Sequence, residues 1–96
     1  MTTWFVSRHD GAIAWARLQN LLIDKWVAHL DPEQIANGDT VIGTLPVNIA
    51  ELICSKGAKF YFLSMKVRFE HRGKELSAQD LIEADCQLVQ YYVALT

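Results

Sequence analysis

Short β-prone apolar runs alternate with stretches of helical periodicity along the whole chain. This alternation constrains the fold more than any single motif does. Trp4-Phe5-Val6 opens the series and gives way to the polar break Ser7-Arg8-His9-Asp10-Gly11. From Ala12 to Leu22 the residues Trp15, Leu18 and Leu22 recur at helical spacing, with Arg17 and Asn20 on the other side. Trp26 to Leu30 reads as a second strand, followed by Asp31-Pro32 and a turn at Asn37-Gly38. Asp39 to Ile42 reads as a third. Gly43-Thr44-Leu45-Pro46 then leads into a helix that buries Ile49, Ala50 and Ile53 and stops at Gly57, a natural left-handed C-terminal residue. Lys59 to Ser64, apolar from Phe60 to Leu63, predicts a strand covered on both faces. Residues 65–75 are polar, basic and irregular. Ser77 caps a third helix through about Leu88, and Tyr91 to Leu95 alternates as a fifth strand.

The order strand, helix, strand, strand, helix, strand, helix, strand predicts an α/β class. The expected architecture is a Rossmann-like domain with a mostly parallel sheet of about five strands and helices on both faces. With 96 residues, a single domain over 1–96 accounts for the chain. Ligands of such sheets bind outside the carboxyl ends of the strands, where the strand order reverses. Function is therefore sought in the loops 7–11, 29–32, 43–48 and 64–73.

Composition narrows the classes further. Hydrophobic residues make up 51% and charged residues 21%, the balance of a globular domain. The longest apolar runs fall far short of the ~20 residues a membrane span needs, and no basic stretch leads into an apolar one at the start. Cys54 and Cys86 fall on predicted helix faces without metal-ligand spacing, which points to a reducing cytoplasm. The net charge of −2 hides a segregation. Residues 56–74 carry Lys56, Lys59, Lys66, Arg68, Arg72 and Lys74 against Glu70, giving +5, and the remainder carries −7. A basic segment on an acidic body fits a compact anionic ligand or a solvated face, not a duplex nucleic-acid coat.

The first loop carries the most chemistry. Ser7, Arg8, His9, Asp10 and Gly11 follow a buried strand and open onto a helix N-terminus, where free N–H groups and the helix dipole favour a phosphate. Arg8 offers a planar fork of donors, His9 exchanges a proton near neutral pH, and Gly11 permits close backbone approach. Equally, Ser7 or Asp10 caps the helix and Arg8 and His9 are merely exposed. The second helix entry repeats the geometry. Gly43, Thr44, Leu45 and Pro46 precede Asn48, with Pro46 in the first turn, and Glu51 completes a capping box with Asn48. Thr44 and Asn48 can also bind a base or sugar. His9-Asp10 and His29-Asp31 offer a metal only if the first two strands gather them, a minor alternative. His71 reads as part of a solvated basic loop, and Cys54 as a core cysteine. Trp4, Trp15, Trp26 and Tyr61 fall at core positions rather than on a stacking platform. No Walker loop, GxGxxG, GxSxG or HExxH occurs.

Several segments carry a resemblance. Thr2-Thr3-Trp4-Phe5-Val6-Ser7-Arg8-His9-x-Gly11-Ala12-Ile13-x-Trp15-Ala16 resembles the opening of a small ancillary family of type III CRISPR loci. So do Val27-Ala28-His29-Leu30-Asp31-Pro32, Gly38 through Asn48, and Arg72-Gly73-x-Glu75-Leu76-Ser77. That family is similar to the CRISPR-associated Rossmann-fold (CARF) ring nucleases. The resemblance implies a cytoplasmic, antiviral-defence protein that binds cyclic tetra-adenylate as a homodimer. It implies cleavage of the ring, without metal or other cofactor, to linear products ending in 2′,3′-cyclic phosphate. Asp10 departs from the proline expected there, and the match weakens from Ser64 to Glu70.

The residues fit such chemistry. A ribose 2′-hydroxyl can attack its own phosphate, so the protein must align it, neutralise charge and move protons. Arg8 suits the charge and His9 the protons, as catalytic residues. Ser7, Asp10, Gly11, Gly43, Thr44, Leu45, Pro46, Asn48, Ser64 and Arg72 form the expected ligand-binding set. The alternative is a non-catalytic sponge or sensor of the same messenger, and a third reading is an interaction module without a ligand. Neither a membrane nor duplex nucleic acid is expected as partner.

Overall fold

The fold is taken from a computed structural model described over residues 1–65 and 75–96. Its elements are β1 (Thr3–Val6), α1 (Asp10–Leu18), β2 (Lys25–Val27), a 3-10 turn (Pro32–Gln34), β3 (Thr40–Gly43), α2 (Val47–Ser55), β4 (Lys59–Ser64), α3 (Ala78–Glu83) and β5 (Gln87–Tyr91). The strands form one five-stranded sheet in the order β2-β1-β3-β4-β5, parallel except for the β4–β5 pair. This is the α/β, mostly parallel, Rossmann-like architecture expected. The chain leaves β1 toward β2 on one side and returns as β3 on the other, so the strand order reverses between β1 and β3.

Period-two alternation in the strands produces the layers. Trp4 and Val6 of β1, Val41 of β3 and Phe60 of β4 join Ala50, Ile53 and Cys54 of α2 in one core. Phe5 and Ile42, their sequence neighbours, and Leu63, three positions after Phe60, face the other way, onto Ala12, Trp15 and Ala16 of α1 and Leu81 of α3. Phe5, Val41 and Ile53 are essentially sealed from solvent, and each such side chain contributes about 1.5–3 kcal/mol. Cys54 is buried in this core, as expected. Among the described residues, no helix is long and apolar enough to cross a membrane.

Several elements depart from expectation, among them β2, which ends at Val27 and not Leu30, and β5, which spans Gln87–Tyr91 and not Tyr91 to Leu95. The first helix stops at Leu18, four residues short of Leu22, because Asn20 takes a left-handed conformation (φ 55°). Leu18 and Leu22 are accordingly exposed, and only Trp15 of the expected stripe is buried. Trp26 is also not a core residue. It sits on the short edge strand β2, 37% exposed, with its ring 5.1 Å from Phe5 and the Arg17 guanidinium 5.2 Å from its centroid. The third helix ends at Glu83, not Leu88, after which Asp85 turns left-handed (φ 55°). The strand therefore begins at Gln87, with Leu88 opposite Leu63 and Val89 opposite Phe62. Cys86 lies in that turn, and burial followed by the Asp85 charge pushes its thiol up to about 11. By contrast Gly57 (φ 88°) ends α2 as predicted. Ser77 caps α3 in a full capping box with Asp80.

Candidate functional site

The loops after β1 and β3 meet where the strand order reverses. A cleft of about 190 Å³ opens there, lined by Ser7, His9, Ala12, Thr44, Leu63, Met65, Glu75, Leu76 and Leu81. The β1 exit is built from local bonds. Ser7 N–H donates to the Val27 carbonyl (3.0 Å), which extends the β1–β2 pairing by one residue. The Ser7 hydroxyl oxygen then accepts from His9 N–H (3.1 Å), and His9 becomes the N-cap of α1. Neither Ser7 nor Asp10 caps the helix with its side chain, because the cap position is His9's and it carries no side-chain cap bond. Asp10 is the exposed first residue of α1.

His9 is tied across the cleft. Its Nδ1 lies 3.0 and 3.1 Å from the two carboxylate oxygens of Glu75, in the segment that enters α3. Both side chains are more than half exposed. Sequence reasoning did not single out Glu75, since nothing local marks a contact across 66 positions. It entered the sequence reading only within the family-like segment Arg72-Gly73-x-Glu75-Leu76-Ser77, with no role assigned to it.

Gly11 is buried, and a side chain there would collide with the Leu76 carbonyl. Its smallness thus serves the approach of the Leu76–Ser77 backbone to α1, not the approach of a ligand. Gly43 has a similar role within the sheet, where an added Cβ would lie 2.6 Å from the Val6 carbonyl oxygen. Together these glycines bring α1, β1, β3 and the entry to α3 to one point.

The remaining candidates are distributed around this cleft. Thr44 lines it, and Ser64 ends β4 between the lining residues Leu63 and Met65. Arg8 is exposed and lines an adjoining cleft with Phe5, Ser7, Ile13, Trp26, Val27 and Ala28, sharing only Ser7 with the first. Arg8 and His9 therefore face different clefts, and the described lining of the His9 cleft contains no lysine or arginine. Leu45 turns to the opposite face, into an apolar groove with Val47, Phe60, Phe62, Tyr91 and Val93. Pro46 is the N-cap of α2, one place earlier than expected, and no side chain caps that helix, so the Asn48–Glu51 capping box does not form. Asn48 is exposed in the first turn of α2. Arg72, His71 and most of the basic segment lie outside the described residues. Asp31 caps the 3-10 turn through Glu33 N–H (3.1 Å). No group of three or more His, Cys, Asp or Glu side chains forms a metal-binding cluster among the described residues, so His9, Asp10, His29 and Asp31 do not gather.

The model of the family described as "Putative CRISPR-associated protein (Cas_VVA1548)" matches residues 4–94. No curated protein and no solved structure matches the chain.

Proposed function

The chain belongs to this CRISPR-associated family, and on that premise we propose that it is a ring nuclease of cyclic oligoadenylates, with cyclic tetra-adenylate as substrate. The observation that carries the reading is the position of His9. A proton carrier sits beside Ser7 and Thr44 at the reversal of strand order, where sheets of this class bind ligands. The 2′-oxygen of one ribose attacks the adjacent phosphorus and the bond from phosphorus to the 5′-oxygen breaks, leaving a 2′,3′-cyclic phosphate. His9 accepts the 2′-hydroxyl proton. Ser7 and the amides at the start of α1 hold a phosphate oxygen, Thr44 and Asn48 hold ribose or adenine, and Arg8 adds charge from the adjoining cleft.

Size supports a shared site. A cleft of about 190 Å³ is below the ~300–1,000 Å³ usual for ligand pockets, so one copy takes a fragment of a four-nucleotide ring. Two copies related by a two-fold axis present each loop twice to a ligand with matching symmetry. Incubation with cyclic tetra-adenylate in the presence of EDTA, followed by chromatography, tests the proposal. Linear products with 2′,3′-cyclic phosphate ends are expected. Intact ring retained by the protein marks a non-catalytic binder, and neither outcome leaves a partner-binding module.

A further inference from the structure

We propose that Glu75 is a positioning residue for His9. It holds the imidazole with its proton on Nδ1 and leaves Nε2 as the proton-accepting atom of the cleft. The inference deepens the nuclease reading and, for its catalytic consequence, rests on it. Three observations carry it. Both Glu75 oxygens lie within 3.1 Å of the same ring nitrogen, Nδ1. His9 and Glu75 line the same cleft, with Ser7 and Thr44 beside them. Glu75 is also anchored from behind, because the next residue, Leu76, has its backbone packed against buried Gly11.

A neutral imidazole carries one proton, and which nitrogen bears it is set by what the other ring atom meets. An ionised carboxylate only accepts, so a carboxylate at Nδ1 selects the Nδ1–H tautomer and leaves the lone pair on Nε2. No described residue bonds Nε2. An exposed ion pair adds little to stability, so the consequence of this one falls on the ring's orientation and tautomer. In the reaction, the 2′-hydroxyl proton passes to Nε2 as the 2′-oxygen–phosphorus bond forms. The departing 5′-oxygen takes a proton from water. The ring stays hydrogen-bonded to the Glu75 carboxylate through Nδ1 until Nε2 returns its proton to solvent.

The test has a spectroscopic arm and a kinetic arm. The protein labelled with ¹⁵N-histidine is compared with Glu75→Ala and Glu75→Gln, using the His9→Gln spectrum to assign the His9 signals. At a pH where the ring is neutral, wild type is expected to show the Nδ1–H tautomer. Glu75→Ala shifts the population toward Nε2–H, and Glu75→Gln, whose amide oxygen still accepts, restores Nδ1–H. In single-turnover cleavage of cyclic tetra-adenylate, Glu75→Ala is expected to slow the reaction by about 10–100-fold with ring affinity unchanged, and Glu75→Gln to recover most of the rate. An Nε2–H ring in wild type, or an unchanged His9 spectrum in Glu75→Ala, overturns the proposal. Cleavage at the wild-type rate by Glu75→Ala overturns it as well, while leaving the nuclease reading intact. If wild type does not cleave the ring, the nuclease reading fails, and the tautomer measurement still decides the role of Glu75.

Discussion

Removing the Asp39 carboxylate is expected to destabilise the domain in a pH-dependent way. Asp39 is the one buried charged residue among those described, 4% exposed. Its Oδ1 accepts from Thr2 N–H (2.9 Å), and its Oδ2 accepts from Trp4 Nε1–H (3.2 Å) and Ala36 N–H (3.0 Å). These bonds tie β1 to the turn that precedes β3. A hydrogen bond to a charged group contributes about 1.5–3 kcal/mol net, and removing one partner leaves the others without theirs. Three such bonds sharing one carboxylate are not additive, so Asp39→Ala is expected to cost about 3–5 kcal/mol, the range for breaking a buried charged pair. Asp39→Asn keeps one acceptor but turns an amide N–H₂ toward a donor, and about 2 kcal/mol is expected. Burial is the largest influence on this carboxyl and opposes its charge. The Ala36, Thr2 and Trp4 donors and the N-terminal charge together outweigh it, so its pKa lies below 3.8. A depressed folded-state value means that the unfolded chain binds the proton more tightly. The stabilisation is therefore complete above the ordinary aspartate range and is lost as pH falls through the lower folded value. Urea denaturation at about pH 7 and about pH 3 measures both effects, with the slope checked for constancy. The gap between wild type and Asp39→Asn should narrow at the lower pH. Equal midpoints at neutral pH, or a gap independent of pH, would refute the reasoning.

Other outcomes follow from the same geometry. Gly11→Ala normally gains about 0.5–1 kcal/mol in a helix. Here the collision with the Leu76 backbone should reverse the sign to a loss of about 1–3 kcal/mol, and a raised melting temperature would contradict it. His9→Ala should slow single-turnover ring cleavage by about 10²–10⁴-fold while binding survives; a variant that keeps most of the wild-type rate removes His9 from the chemistry. Arg8→Ala should weaken ring binding by about 1.5 kcal/mol, the lower end for a charged hydrogen bond, since Arg8 is exposed. An unchanged titration would take Arg8 out of the site. Calorimetry should give one ring per two chains, and one ring per chain would sink the shared site.

Much of the fold was legible because local signals and global packing agree. The uninterrupted apolar run from Phe60 to Leu63 foretold two-sided burial, Trp4-Phe5-Val6 read as a strand from its β-prone apolar residues, and Gly57 and Ser77 marked helix ends by their backbone chemistry. The errors share one physical origin. Trp15, Leu18 and Leu22 keep helical spacing past the point where Asn20 turns the chain, so periodicity alone overran the boundary. Leu88 looked helical because its role is fixed by pairing with Leu63, a partner 25 positions away. In the site, Ser7 and Thr44 were legible because each follows a strand directly, and His9 because it stands at the entry to the first helix. Glu75 was not, because only tertiary packing brings it to His9. Asp39, next to Asn37-Gly38, read as the polar start of a strand, and nothing local revealed that three donors converge on it.

Packing and chemistry meet at Gly11. A glycine inside a helix is locally unfavourable, and α1 carries it at its second residue. Any larger residue would press on the Leu76 carbonyl, and Leu76 is joined to Glu75. Shifting that backbone outward by even a fraction of an ångström would lengthen the 3.0 Å contact between Glu75 and His9 Nδ1. The same close approach therefore seats α3 on α1 and holds a carboxylate against the imidazole. His9 depends on Gly11 twice over, as the cap of the helix that contains it and as the ring held by the segment packed against it. The placement of the His9 ring thus belongs less to the Arg8-His9 pair read along the sequence than to the contact between two distant backbone segments.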